Sequence, residues 1–181
     1  HDNNGDPIAL VTDMFTMGVI DDTPTISLAD VNTPSLTVDE SFLATDDTQN
    51  FSGVFDPRYG ADGPGSVGYA LSINGGDGTV SGLVDSLTGD AVKLYMNGGN
   101  IEGRDSGGDV VFVISVDGSG NVTLDQQRAV IHDTGSDPDT SEPAGIDPNL
   151  VILTATVTDW DGDSASQGID LGAQISFLDD G

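Results

Sequence analysis

Apolar residues in this chain recur at every second position or in short runs, and nowhere do they form the stripe that a helix needs over about 12 residues. The stretches PTISLAD, PSLTVDE, GSVGYALSI, AVKLYMNGG, LVILTATVTD and AQISFLDD each alternate or run apolar, and Gly, Asn, Asp or Pro bound them. VVFVISVDGSGNVTLDQQ reads as a hairpin, two β-rich runs joined at Asp117 to Asn121. The chain has 25 Gly and 8 Pro. Many short strands with that much turn chemistry predict an all-β, antiparallel β-sandwich-like domain with long acidic loops. At most one or two short helical turns are expected, in SLTGDAVKL or LDQQRAV. The connection from His132 to Asn149 is long for a loop with no role.

Charge narrows the function. Thirty-one acidic residues face 4 basic ones, a formal net charge of −27. The basic residues are Arg58, Lys93, Arg104 and Arg128. Such an excess repels nucleic acids and anionic membrane surfaces, whose phosphates need Lys and Arg. It also opposes compaction. A folded domain of this kind is expected to offset its charge with several bound Ca²⁺ ions, whose ligands are carboxylates and carbonyls. With 0 Cys, neither a disulfide nor a thiolate metal site is possible. No stretch approaches the roughly 20 apolar residues of a membrane helix, so direct membrane insertion is not expected. The opening HDNNGDP has no signal-peptide pattern and is expected to continue a longer chain.

The two ends are alike. MGVIDDTPTISL and QISFLDDG both place an apolar strand before paired Asp residues, Asp21/Asp22 and Asp179/Asp180. One unit of a tandem array, cut with its neighbour's last strand attached, would look like this. Residues 1–20 are then an N-terminal arm or the end of a preceding unit, and 21–181 a single calcium-stabilised domain. Calcium would stiffen the acidic junctions.

FSGVFDPRYGADGPGSVGYALSI, VVFVISVDGSGNVTLDQQRAVIH, TATVTDWDGDSAS and IDLGAQISFLDDG resemble the large repeat domain of type I-secreted giant RTX adhesins of Gram-negative bacteria, in order and with similar spacing. The resemblance implies calcium-stabilised β-rich modules projected from the outer membrane, some extending a stalk and others binding sugars, proteins or peptides. The glycine-rich nonapeptides of RTX proteins are absent from this chain. A place in the adhesive or extender region is therefore implied, not one in the secretion-signal region.

Candidate metal ligands follow. Asp159, Asp161 and Asp163 stand at alternate positions after the LVILTATVT strand. They would share one side if extension persisted into the turn. Solvation by water is the alternative. Their count with Asp170 imitates an EF-hand, but Ser164 stands where Gly is needed and strands flank the site. Asp56 and Asp62 flank PRYGA and suit either calcium or a plain turn. Asp21, Asp22, Asp179 and Asp180 complete the metal set. Asp77 and Asp117 read as turn formers.

Ligand binding is expected on the long loop, through Asp133, Asp137, Asp139 and Glu142, with Arg58, Tyr95 and Trp160 as further contacts. A loop-held Ca²⁺ with an open position would accept a ligand oxygen, and Trp160 would either stack on the ligand or cover a sandwich end. No catalytic residues are expected: His132 with Asp133 cannot form a triad, and no G-x-S-x-G appears. The expected function is a calcium-dependent, extracellular, cell-surface adhesion module whose partners are neighbouring adhesin domains and a target-cell peptide or protein end group. The alternatives are a structural extender repeat and a calcium-dependent sugar-binding module.

Overall fold

The computed structural model describes residues 22–61, 63–132 and 143–179. Thirteen strands are present among them. A six-stranded antiparallel sheet has the order β3 (Asp47–Asn50), β10 (Asn121–Gln126), β9 (Val110–Val116), β8 (Asn100–Arg104), β7 (Ala91–Asn97) and β6 (Thr79–Val84). A second antiparallel sheet has the order β12 (Ser164–Asp170), β11 (Val151–Thr158) and β5 (Ser66–Ile73). β5 packs across β7, β8 and β9, so the two sheets form the sandwich. The all-β architecture is as the sequence predicts.

Alternation explains the packing. Along β11, Val151, Leu153, Ala155 and Val157 are buried while the threonines between them are not. Val92 and Leu94 of β7, Ile101 of β8, Ile114 of β9 and Leu124 of β10 face them as fully buried residues. At the centre the rings of Phe112 and Phe177 lie 5.3 Å apart. Gly103 makes room: a Cβ there would lie 2.3 Å from the Phe112 ring. The β8–β9 register shifts at that same point.

Two smaller pairs close the structure. β1 (Thr25–Leu28) pairs antiparallel with β4 (Phe55–Arg58). Pro57, which has no N–H to give a ladder, sits in this two-stranded edge. β13 (Ile175–Leu178) pairs with β2 (Leu36–Asp39), and it does so in parallel, a departure from the purely antiparallel expectation. Leu36 and Val38 of β2 and Ile175 and Phe177 of β13 bury their side chains in the one core.

The helical turns also differ from expectation. Three single 3-10 turns occur, at Glu40–Phe42, Ser52–Val54 and Gly172–Gln174. The first is capped by Asp39, which accepts from the Ser41 N–H at 2.8 Å. Neither expected segment is helical: Val92 and Leu94 alternate inward within β7, and Leu124 and Gln126 do so within β10. The end of the long connection is held down. Ala144 exchanges backbone hydrogen bonds with Phe177 at 2.9 and 2.8 Å, and Ile146 is buried.

Candidate metal centre

Asp159 to Asp163 form the turn between β11 and β12, closed by Thr158 opposite Ser164. Asp159 organises it. Its Oδ1 accepts from the N–H of Gly162 at 3.1 Å and of Asp163 at 2.9 Å, and its own N–H donates to the Asp163 carbonyl at 3.0 Å. Gly162 supplies the positive φ, 107°, that the turn requires. Gly65 of the neighbouring segment lies flat on the turn; a Cβ there would meet the Thr158 carbonyl oxygen at 2.2 Å. Asp159 itself is buried, 4 % exposed.

Ligand oxygens of Asp159, Asp161 and Asp163 lie within 4.8 Å of one another. The expected convergence is therefore present, but the turn produces it. Extension ends at Thr158. The second carboxylate oxygen of Asp159, Oδ2, is buried and has no hydrogen-bond partner. A desolvated carboxylate oxygen facing like charges is costly unless a cation meets it. The donor set is all oxygen and all anionic, which suits a hard divalent ion. Trp160, in the same turn, is 80 % exposed and covers little of the sandwich.

The other expected sites divide. Asp56, on β4, pairs with Arg58 at 2.7 Å. Asp22 accepts from the Ala61 N–H at 2.9 Å. Asp117 shapes the β9–β10 turn as expected, accepting from Asn121 and Ser119; those hydrogen bonds, the Asn121 side chain first, hold its carboxyl below the usual range. Asp77 accepts from the Met96 N–H at 2.8 Å. Asp21, Asp62, Asp133, Asp137, Asp139, Glu142 and Asp180 lie outside the described residues. Arg58, Tyr95 and Trp160 stand on β4, β7 and the β11–β12 turn, and no hydrogen bond or ring contact joins them.

Two arrangements were not legible in the sequence. Glu40, His132 and Asp179 bring ligand atoms within 4.8 Å of one another. Glu40 Oε1 accepts from Gln126 Nε2 at 3.0 Å and the Val130 N–H at 2.7 Å, and lies 3.3 Å from His132 Nε2. Its members are scattered along the chain, so no local pattern announces them. Arg128 is the hub of the second arrangement. It donates to Asp85 at 2.9 Å, Asp105 at 3.1 Å and Asp109 at 2.6 Å. The hydrogen bonds to Asp109 and Asp85 raise its pKa further above the ordinary arginine value. One cation is thus shared among three carboxylates.

A family model described as "Domain of unknown function (DUF5801)" matches residues 35–172. The chain belongs to the DUF5801 family. No curated protein and no solved structure matched it. The DUF5801 stretch runs from β2 through β12 and holds the Asp159 turn, the Arg128 hub and the whole six-stranded sheet. β13 lies beyond it, yet it completes the core of the DUF5801 fold through Phe177 and its pairing with β2.

Proposed function

We propose that this DUF5801 domain is a calcium-stabilised module of a type I-secreted, RTX-type bacterial surface adhesin. The observation that carries the reading is the buried, unpartnered Oδ2 of Asp159 beside Asp161 and Asp163. Ca²⁺ accepts 6–8 oxygens in flexible geometry, whereas Mg²⁺ demands a tight octahedron and gives up its water reluctantly. An irregular turn bearing several carboxylates favours the former. Further ions at the acidic ends, near Asp22 and Asp179, belong to the same proposal. So does an extracellular place at the cell surface, among neighbouring modules of one chain. The module binds and spaces; it has no catalytic role.

Within this reading, the adhesive partner expected from the sequence is a peptide or protein end group, met by an ion held by carboxylates of the His132 to Asn149 connection. The extender reading is favoured by one observation. Arg58, Tyr95 and Trp160 stand on separate elements, β4, β7 and the β11–β12 turn, with no hydrogen bond or ring contact joining them. Thermal unfolding in Ca²⁺, in Mg²⁺ and in EDTA tests the calcium reading. At free ion about 100 times the dissociation constant, one site adds about 2.7 kcal/mol. EDTA should lower the melting temperature, and Ca²⁺ but not Mg²⁺ should restore it. Identical melts in all three would refute it.

A further inference from the structure

On the outer face of the six-stranded sheet, two of the chain's basic side chains stand directly opposite each other. Lys93 of β7 is paired with Arg104 of β8, in a chain with only 4 Lys and Arg in all. Like charges on opposed residues destabilise a sheet. Glu102 partly neutralises Arg104, accepting from its Nε at 2.8 Å and from Nη2. Lys93 is exposed and forms no ion pair with a described residue. Both cations line a cleft of about 540 Å³, within the usual size range of small-ligand sites. Tyr95 and Asn97 follow Lys93 along the same face of β7, and Asp77, Ser106 and Asp105, whose charge Arg128 holds at 3.1 Å, are also among the lining residues.

We propose that this cleft binds a carboxylate-bearing sugar unit, with its acid group between Lys93 and Arg104. Lys93 supplies the charge-assisted hydrogen bond to the acid group, and Arg104, already held by Glu102 and the Gly108 carbonyl, borders it with its remaining positive field. The half-buried Tyr95 ring offers an aromatic face to a pyranose. The remaining polar groups fit hydroxyls. Asp77 Oδ1 is fixed by the Met96 N–H at 2.8 Å, and the Asn97 amide is held by Glu102 at 2.7 Å. A peptide strand is the poorer occupant. β7 is hydrogen-bonded on both sides, by β6 and β8, so no free strand edge opens into the cleft for main-chain pairing. The large negative charge of the rest of the molecule does not forbid a single acidic unit, because fields are screened within about 8 Å at physiological salt. It does disfavour long polyanions. The proposal needs no calcium, since none of the cleft residues belongs to the Asp159 turn.

Calorimetric titration of the full chain in Ca²⁺ buffer tests this, with 3′-sialyllactose and trigalacturonate as acidic probes. The methyl ester of trigalacturonate is the neutral control, and an N-acetylated tripeptide with a free carboxylate is the competitor from the other class. At least one acidic probe should bind, and the ester should not. Lys93→Ala should weaken binding about tenfold or more, while Lys93→Arg retains it, and neither variant should melt below wild type. The proposal is overturned if neither acidic probe binds. It is equally overturned if the ester binds as well as the acid, if Lys93→Ala binds like wild type, or if the tripeptide outcompetes both sugars. A failed calcium reading would show in the EDTA melts and leave these outcomes unchanged.

Discussion

Replacing Phe177 by alanine should destabilise the domain by about 4 kcal/mol. Phe177 is fully buried, and its ring lies 5.3 Å from that of Phe112. Losing the burial of the ring costs about 2 kcal/mol. The cavity left in a core that collapses only partly adds about 1 to 2 kcal/mol. Losing the tilted ring pair adds about 1 kcal/mol. For a chain of this size each kcal/mol is worth about 2–4 °C, so the melting temperature should fall by roughly 8–16 °C. Urea unfolding in saturating Ca²⁺ should show a lower midpoint with an unchanged slope. Phe42→Ala is the control: that residue is 65 % exposed, and the change should stay within about 0.5 kcal/mol. The comparison matters because Phe177 lies beyond the DUF5801 match, on β13. If Phe177→Ala cost below about 1 kcal/mol, β13 would not belong to the core and the parallel β2–β13 pairing would be wrong.

Other outcomes follow from the same packing. Arg128→Met should lower the melting temperature, because Asp85 and Asp105 lose their shared cation; adding Asp85→Asn should restore part of the loss in a double-mutant cycle. Gly65→Ala should both destabilise the domain and weaken Ca²⁺ binding by calorimetry, since its Cβ would press on the backbone carbonyls of Thr158 and Asp159 at 2.2 and 2.6 Å. Glu102 and Asp117 are held below the usual carboxylate range, mainly by hydrogen bonds from Asn97 and Asn121 respectively. A depressed folded pKa contributes stability that is present above the unfolded value, about 4, and is lost as pH falls through the lowered folded value. Urea midpoints should therefore drop in that acidic window, and less steeply in Asp117→Ala.

The strands that the sequence announces are those whose alternation is driven by burial. β11 and β10 show it most cleanly, each alternating buried and part-exposed residues. β3, DTQN, carries no apolar residue and stays hidden in the sequence. It is a strand because it adds to the edge of β10, through Thr48 to Thr123 and Asn50 to Asn121, both at 2.7 Å. The Asp159 turn was legible because its ligands are neighbours in sequence. What the sequence could not show was which oxygen would be orphaned, since that depends on the folded turn, in which Oδ1 takes the Gly162 and Asp163 N–H groups and Oδ2 takes none. The Lys93–Arg104 opposition and the Glu40–His132–Asp179 cluster depend on register and on distant segments, and neither has a local signature.

Terbium luminescence reads the proposed metal site at its own position, because the chain's one Trp, Trp160, sits inside the acidic turn. Tb³⁺ replaces Ca²⁺ at oxygen sites and emits when a nearby indole is excited. Metal-free protein titrated with Tb³⁺ should give strong emission on tryptophan excitation. Ca²⁺ should compete it away, Mg²⁺ should do so poorly, and Asp159→Asn or Trp160→Phe should abolish it. Emission absent in wild type, or undiminished in Asp159→Asn, would contradict a calcium site at Asp159, Asp161 and Asp163.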